Sequence, residues 1–250
     1  METLKHFTLI VVGNEPDLLI KKYDSTIETE AYIVYYLKDA KKLHKEFIEA
    51  YSKALSTNDN EILKERLQYL KEIDDMEFYA YLTDAYELDE NGNAISTANP
   101  EGRYYTCRPG KNLSMPLMTL NGYEVFSALK KDVDWERVHL GSNETYGKVW
   151  DMVMEGVAPS NSIEESLYQN MKERKKYFEF FGDRETYIIN STAFWGYAFL
   201  SEKTGWVELE KNMSQIEWVK NFYDRFILPL DDNERISVYE CTRIVDEYGD

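Results

Sequence analysis

The chain has few of the residues from which metal and catalytic sites are commonly built. Its 250 residues include three histidines, His6, His44 and His139, and two cysteines. No two histidines have the i, i+4 spacing of a zinc-binding helix, and no C-x-x-C pair occurs. The glycine motifs of nucleotide-binding loops and the G-x-S-x-G motif of serine hydrolases are also missing. The sequence therefore predicts no metal and no cofactor, and it favours a non-enzymatic protein.

Positive charge is scarce as well, because 29 Lys and Arg stand against 46 Asp and Glu, which gives a formal net charge of -17. A chain this acidic is repelled by phosphate backbones and by anionic lipid surfaces. No apolar run reaches the length of a membrane span, and residues 1–12 lack the basic start and long apolar core of a signal peptide. We therefore expect a cytoplasmic protein that binds neither membranes nor, directly, nucleic acid.

The residues that are abundant predict a folded chain. Apolar residues make up 43% and aromatic residues 14% of the sequence, a composition that excludes disorder for the bulk of it. Helical periodicity dominates, whereas turn signals gather between residues 86 and 129. We expect an α+β fold that is predominantly helical, with a turn-rich β section in the middle. Residues 1–250 are expected to form a single domain, with possible sub-units 1–85, 86–140 and 141–250.

In the first half, the β-branched run 6–12 predicts a buried strand. Apolar residues at helical spacing over 40–54 and 63–73 predict two helices, and Asn60 can cap the second of them. The short polar break between the two helices indicates an antiparallel helical hairpin. The Asn-Gly signals in 89–93 and 121–122 predict β-hairpin turns.

In the second half, helical signals return. Asn143 is expected to cap a helix that runs to Met154, and Ser162 with Glu165 forms an S-x-x-E capping box for a helix to residue 178. The apolar stretch 187–200 fits a buried helix or a strand, and we favour the helix. A second capping box at Ser214 predicts another helix, and residues 236–244 read as the last strand.

Two groups of residues leave an enzymatic function as an alternative. Asp132, Asp134 and His139, with Arg137 nearby, are coherent with a metal-dependent enzyme that acts on phosphates or nucleotides. Cys107 could act as a nucleophile if it met His139, but a structural thiol is the better interpretation. Neither group of residues forms a recognised motif.

Negative charge is concentrated in two places. Between Glu72 and Glu101 there are nine acidic residues and no Lys or Arg, and residues 231–250 hold seven acids against two arginines. These segments are either solvated faces or, where tyrosines are interleaved, a face that docks on a basic surface of a partner protein. The predicted partner-binding residues are Asp74, Asp75, Glu77, Tyr79, Tyr81, Asp84, Tyr86 and Glu87.

The C-terminal half contains four distinctive segments, which are residues 144–156, 168–172, 192–199 and 217–226. Together they resemble an uncharacterised family of proteins from tailed bacteriophages. No activity or site residue is attached to that family, so the resemblance implies an origin only. By analogy with acidic phage proteins of this size that lack enzyme motifs, we expect a modulator that acts in the host cytoplasm, for example as an inhibitor of a host defence or nucleic-acid-handling protein. A structural or virion-associated role is a further alternative, with self-association through the apolar run 195–200.

Overall fold

A computed structural model of the protein describes residues 3–57, 60–110, 116–209 and 213–245. The strands are β1 (Thr3–Val12), β2 (Glu28–Tyr35), β3 (Glu87–Leu88), β4 (Ala94–Ala98), β5 (Thr106–Pro109), β6 (Leu117–Met118), β7 (Glu124–Val125), β8 (Ser127–Leu129), β9 (Ala198–Ser201), β10 (Gly205–Glu208) and β11 (Arg235–Val245). The helices are α1 (Pro16–Lys21), α2 (Ala40–Thr57), α3 (Glu61–Glu72), α4 (Asp75–Thr83), α5 (Trp135–Val138), α6 (Asn143–Met154), α7 (Ser162–Met171), α8 (Lys175–Glu179), α9 (Arg184–Thr192) and α10 (Gln215–Phe222). The predicted α+β class, mainly helical with short strands in the middle, is confirmed. Within the described ranges, no helix is both long enough and apolar enough to cross a lipid bilayer.

The chain divides into two compact units. Unit 1 comprises Met1–Asp24 and Glu101–Asp250, and unit 2 comprises Ser25–Pro100. β3 and β4 belong to unit 2 because β4 pairs with both β2 and β3, whereas β5 and β8 pair with β11 of unit 1. The expected β sub-unit 86–140 is therefore divided between the two units. The expectation of a single domain stays a prediction.

The centre of unit 1 is a mixed sheet in the order β10-β9-β1-β11-β5, with β8 paired to the other end of β11. β1 and β11 are antiparallel over their whole length, and β9 runs parallel to β1 with Val12 opposite Ser201. Ile10 and Val12 are buried on one face, against α10, while Leu9 and Val11 are buried on the other, against α1. Burial on both faces explains why β1 reads as a continuous apolar run. The strands predicted over 6–12 and 236–244 are confirmed.

Helices α6, α8 and α9 enclose a second apolar centre in unit 1, around Trp150, Phe178 and Tyr187. At its edge the buried side chain of Glu164 accepts hydrogen bonds from the Ser160 hydroxyl (2.6 Å) and the Ser160 N–H (2.7 Å), and Lys148 Nζ lies 3.2 Å from its other oxygen. These donors, the Ser160 hydroxyl first, lower the pKa of Glu164 to about 2.

The structure corrects two expectations for this part of the chain. Asn161, not Ser162, caps α7, because its Oδ1 accepts the N–H groups of Ile163 and Glu164, each at 3.0 Å. The helix expected to run to residue 178 is interrupted by a 3-10 turn at Lys172–Arg174.

The stretch 187–200 is likewise not one helix. α9 ends at Thr192, and the residues from Ala198 form β9, which is buried at every position. A strand buried on both faces is as apolar as a buried helix, so the pattern did not distinguish them.

Unit 2 contains the predicted helical hairpin of α2 and α3. Asn60 caps α3 by accepting the Ile62 N–H at 2.9 Å, as expected. His44, near the start of α2, lies 2.6 Å from the carbonyl of Leu70, near the end of α3, which confirms the antiparallel arrangement. The sequence did not predict α4, which follows directly and packs against α2.

Candidate functional site

The predicted partner-binding residues lie on and around α4. Asp74 is the N-cap: its Oδ1 accepts the N–H groups of Met76 (2.8 Å) and Glu77 (2.9 Å). The Glu77 side chain accepts the Asp74 N–H at 3.3 Å and completes a capping box. Part of the negative charge of this segment therefore has a local structural role at the start of a helix, where the helix dipole favours it.

One of the predicted residues, Tyr79, lies in the core of unit 2, and a second, Asp75, is half-exposed but contacts a buried histidine. Tyr79 is 3% exposed, and its hydroxyl lies 3.0 Å from the carbonyls of Tyr35 and Gly92 while accepting the Ala94 N–H at 3.1 Å. Asp75 binds Nδ1 of the buried His44 at 2.9 Å. Tyr79 is therefore not available to a partner, because α4 turns this face towards β2 and β4.

His44 joins three helices of unit 2. Its Nδ1 faces Asp75 and its Nε2 faces the Leu70 carbonyl, while its ring stacks on Phe78 with 4.6 Å between centroids. This histidine serves to hold the starts of α2 and α4 against the end of α3.

The remaining predicted residues are accessible. Tyr81 is 59% exposed, and Asp84 and Glu87 are exposed beside it, whereas Tyr86 is half-buried with its ring edge-on to Tyr35. The sequence missed the neighbour of Tyr81, which is Tyr69 on α3. Tyr69 is 46% exposed, and the two ring centroids are 5.7 Å apart.

The same pattern surrounds both tyrosines. An acidic residue lies four positions before each ring and another three positions after it, which places all of them on one side of their helix. We call this set the acidic tyrosine surface; it consists of Tyr69, Tyr81, Glu65, Glu72, Glu77 and Asp84, all exposed. The repeated spacing E-x-x-x-Y-x-x-[DE] was the sequence signal that would have identified it.

The catalytic alternative is not assembled. The Asp134 carboxylate accepts the Arg137 N–H at 3.2 Å as the N-cap of α5, and Asp132 is exposed on the preceding 3-10 turn. His139 stacks on Tyr223 at 3.9 Å and its Nδ1 accepts the Phe194 N–H at 3.1 Å. Burial lowers the pKa of His139, in keeping with this acceptor role. Among the described residues, no hydrogen bond joins these three side chains and no cluster of His, Cys, Asp and Glu is suited to a metal ion.

Cys107 does not meet His139 either. It forms a disulfide with Cys241, which is its direct partner across β5 and β11. Interpretation of Cys107 as a free thiol, nucleophilic or structural, is therefore wrong. The self-association run 195–200 is not a surface, because Phe199 and Leu200 lie in the core of unit 1 on either side of β9.

The chain matches no protein-family model, and no curated protein and no solved structure matches it. The resemblance to a tailed-phage family therefore stays a prediction.

Proposed function

We propose that the protein is a non-enzymatic binding protein that docks a basic surface of another protein on the acidic tyrosine surface. The observation that carries this proposal is the contact of Tyr69 with Tyr81, two exposed rings supplied by different helices and flanked by four exposed carboxylates. Tyrosine is enriched among the residues that dominate binding energy, because a rigid ring supplies apolar area and its hydroxyl a hydrogen bond.

The charge of this region supports a basic partner. The exposed acids on α3 and α4 lie on the same side as the tyrosines, together with one partly buried cation, Arg66, three positions before Tyr69. Lys64 and Lys71 project from the other side of α3 at 3.6 residues per turn. Complementary charge steers association and raises its rate, while the rings provide the anchors. Tyr86 and Glu87 lie just beyond this surface and are expected to contribute less.

The class of partner follows from this chemistry. Surfaces that hold nucleic acid combine positive charge with groups on which bases stack, so they can also accept carboxylates and aromatic rings. We propose that the protein competes for such a surface and so inhibits a nucleic-acid-handling or defence protein. The phage resemblance supports a host protein as the target.

A matched pair of charge-reversal variants tests the docking surface. Glu72 ends α3 and Asp84 caps the end of α4, so lysine at both positions suits the helix dipoles and should leave folding intact. Glu173→Lys with Glu179→Lys, both exposed in unit 1, makes the same change in net charge elsewhere.

The full chain would be used to capture partners from the native host at increasing salt. The Glu72→Lys/Asp84→Lys variant should lose roughly tenfold or more in affinity and show a flatter salt dependence, while the control retains the partner. Tyr69→Ser with Tyr81→Ser should weaken binding at all salt concentrations. A partner held equally by all variants would show that the surface is only solvated.

A further inference from the structure

β2 forms one edge of the sheet in unit 2. This sheet has the order β2-β4-β3, so within the described ranges β2 has a neighbouring strand on one side only. With eight residues it is the longest edge strand in those ranges, since β3 has two residues and β5 and β10, at the edges of the unit 1 sheet, have four each. An edge strand presents backbone N–H and C=O groups that can pair with a strand of another chain.

The pairing of β2 with β4 is itself incomplete. The register shifts at two points, so Thr29–Ala31 and Val34 have no direct partner on β4. No residue of β2 is fully buried, although its second half is apolar and aromatic, whereas β9 in unit 1 is buried at every position. Such shifts bend a strand, so another strand would add along part of β2 rather than along its full length.

The sequence of this edge favours strand pairing. Residues 31–37 are A-Y-I-V-Y-Y-L, a window without charge, proline or glycine in which all but two residues are β-branched or aromatic. A window of this kind on an exposed edge pairs readily with another strand. Natural edge strands are often protected by lysine or proline, and β2 contains neither.

The charges around β2 favour a second copy in the antiparallel direction. Glu28 and Glu30 lie at one end of the strand, whereas the exposed cation Lys38 follows the other end, next to the partly buried Asp39. If two copies of β2 run antiparallel about a two-fold axis, the acids of each copy lie near Lys38 of the other. A parallel pair would instead place each acid beside its own counterpart, and like charges across a strand pair are destabilising.

We propose that the protein forms a dimer by antiparallel pairing of β2 with β2 of a second copy. A two-fold contact uses the same edge on both copies, so association stops at the dimer. The interface is small, so the dissociation constant should be on the order of 10–100 μM. The acidic tyrosine surface takes no part in this contact, and a dimer presents two such surfaces.

Sedimentation of the intact protein between about 5 and 500 μM tests the proposal, in about 0.15 M and about 1 M salt. We expect a reversible monomer–dimer equilibrium that shifts towards the dimer at high salt, because two copies with a net charge of -17 each repel one another. Docking of a basic partner on the acidic tyrosine surface should respond to salt in the opposite way. Tyr69→Ser with Tyr81→Ser should leave the dimer intact.

Amide hydrogen exchange at low and high protein concentration locates the contact. Amides of β2 should gain protection in the dimer, while those of the edge strands β5 and β10 should not. A protein that stays monomeric at the highest concentration in both salts, assemblies larger than a dimer, or a dimer without added protection in β2 would each overturn the proposal.

A charge exchange tests the antiparallel direction. At about 0.15 M salt, Lys38→Glu should raise the dissociation constant about three- to tenfold, because the new acid faces Glu28 and Glu30 of the other copy twice by symmetry. Lys53→Glu, at an exposed position on α2, makes the same change in net charge and should alter the constant less than about twofold. Adding Glu28→Lys to Lys38→Glu exchanges the two charges and should restore the dimer. Equal losses in the two lysine variants, or no recovery on exchange, would contradict antiparallel pairing.

Discussion

The ring of Tyr69 on α3 meets the ring of Tyr81 on α4 edge-on, with 68° between their planes. Neither ring is buried, so the contact is accessible from solvent over about half of each side chain. Tyr79, two residues before Tyr81, points to the opposite side of the same helix and is almost fully enclosed. Tyr79 is therefore a core residue, whereas Tyr69 and Tyr81 form an exposed pair.

The loss of one hydroxyl group separates these two roles. Tyr79→Phe should lower the free energy of unfolding by about 1–3 kcal/mol, because the buried N–H of Ala94 and the carbonyls of Tyr35 and Gly92 lose their partner. Tyr81→Phe should change it by less than about 0.5 kcal/mol. Urea unfolding followed by circular dichroism measures both, and equal effects would contradict the assignment of Tyr79 to the core.

The acids at the two ends of α4 should have opposite effects on stability. Asp74→Ala removes the N-cap and should cost about 1 kcal/mol. Asp84→Ala removes a negative charge beside the carbonyl end of the helix and should add a few tenths of a kcal/mol, about 0.3 at low salt. Thermal unfolding of the two variants, which carry the same net charge, provides the comparison. A loss of stability for both would mean that dipole and capping effects do not govern this helix.

The Cys107–Cys241 disulfide should stabilise unit 1. Its two cysteines are separated by 134 residues, and closing so long a loop restricts the unfolded chain by an amount worth about 3–5 kcal/mol. Dithiothreitol should therefore shift guanidinium unfolding of the protein to lower denaturant concentration. The Cys107→Ala/Cys241→Ala variant is the control and should not respond to reductant.

Thiol trapping in the producing cell completes this test. Alkylation before lysis reports how much of the pair is oxidised where the protein resides. Disulfides persist mainly in oxidising compartments, so a fully oxidised pair would contradict the expected cytoplasmic location.

Glu164 should make the protein sensitive to acid. Its pKa in the folded state is about 2, below the ordinary value of 4.5. The ionised carboxylate therefore stabilises the folded state above about pH 4.5, and this contribution is lost as the pH falls towards 2. Glu164→Gln should reduce stability at pH 7 and flatten the decline between pH 5 and 2. The control variant Glu165→Gln, at an exposed neighbouring position, should show the same pH dependence of stability as the unaltered protein. If Glu164→Gln leaves the loss of stability between pH 5 and 2 unchanged, Glu164 does not cause the acid sensitivity.

The sequence predicted those elements whose signals are local. Asn60 and Ser214 cap their helices as expected, because an N-cap needs only a side-chain oxygen and a backbone N–H two or three residues later in the chain. β1 was also predicted, from a β-branched apolar run that ends in a turn, and β11 was predicted from the alternation of residues 236–244. These parts of the fold do not depend on which elements become neighbours.

The candidate surface was predicted only in part, because burial depends on neighbours. Asp74 and Glu77 were read as docking charges, although their spacing is that of a capping box. α4 has apolar residues on several sides, so its periodicity did not indicate that Tyr79 is buried and Tyr81 is exposed. Tyr69 was missed because it belongs to a different helix, and the pairing of Cys107 with Cys241 required the register of strands far apart in the chain.

The pairing of β1 has a consequence for synthesis on the ribosome. Both of its neighbours in the sheet, β9 and β11, begin at or after Ala198, whereas all three strands of unit 2 lie between Glu28 and Ala98. At ordinary translation rates, the backbone N–H and C=O groups of β1 therefore remain without their strand partners for roughly 10–40 seconds. The middle of the chain should fold before its beginning, and the nascent β1 is the segment that most needs protection from aggregation during that interval.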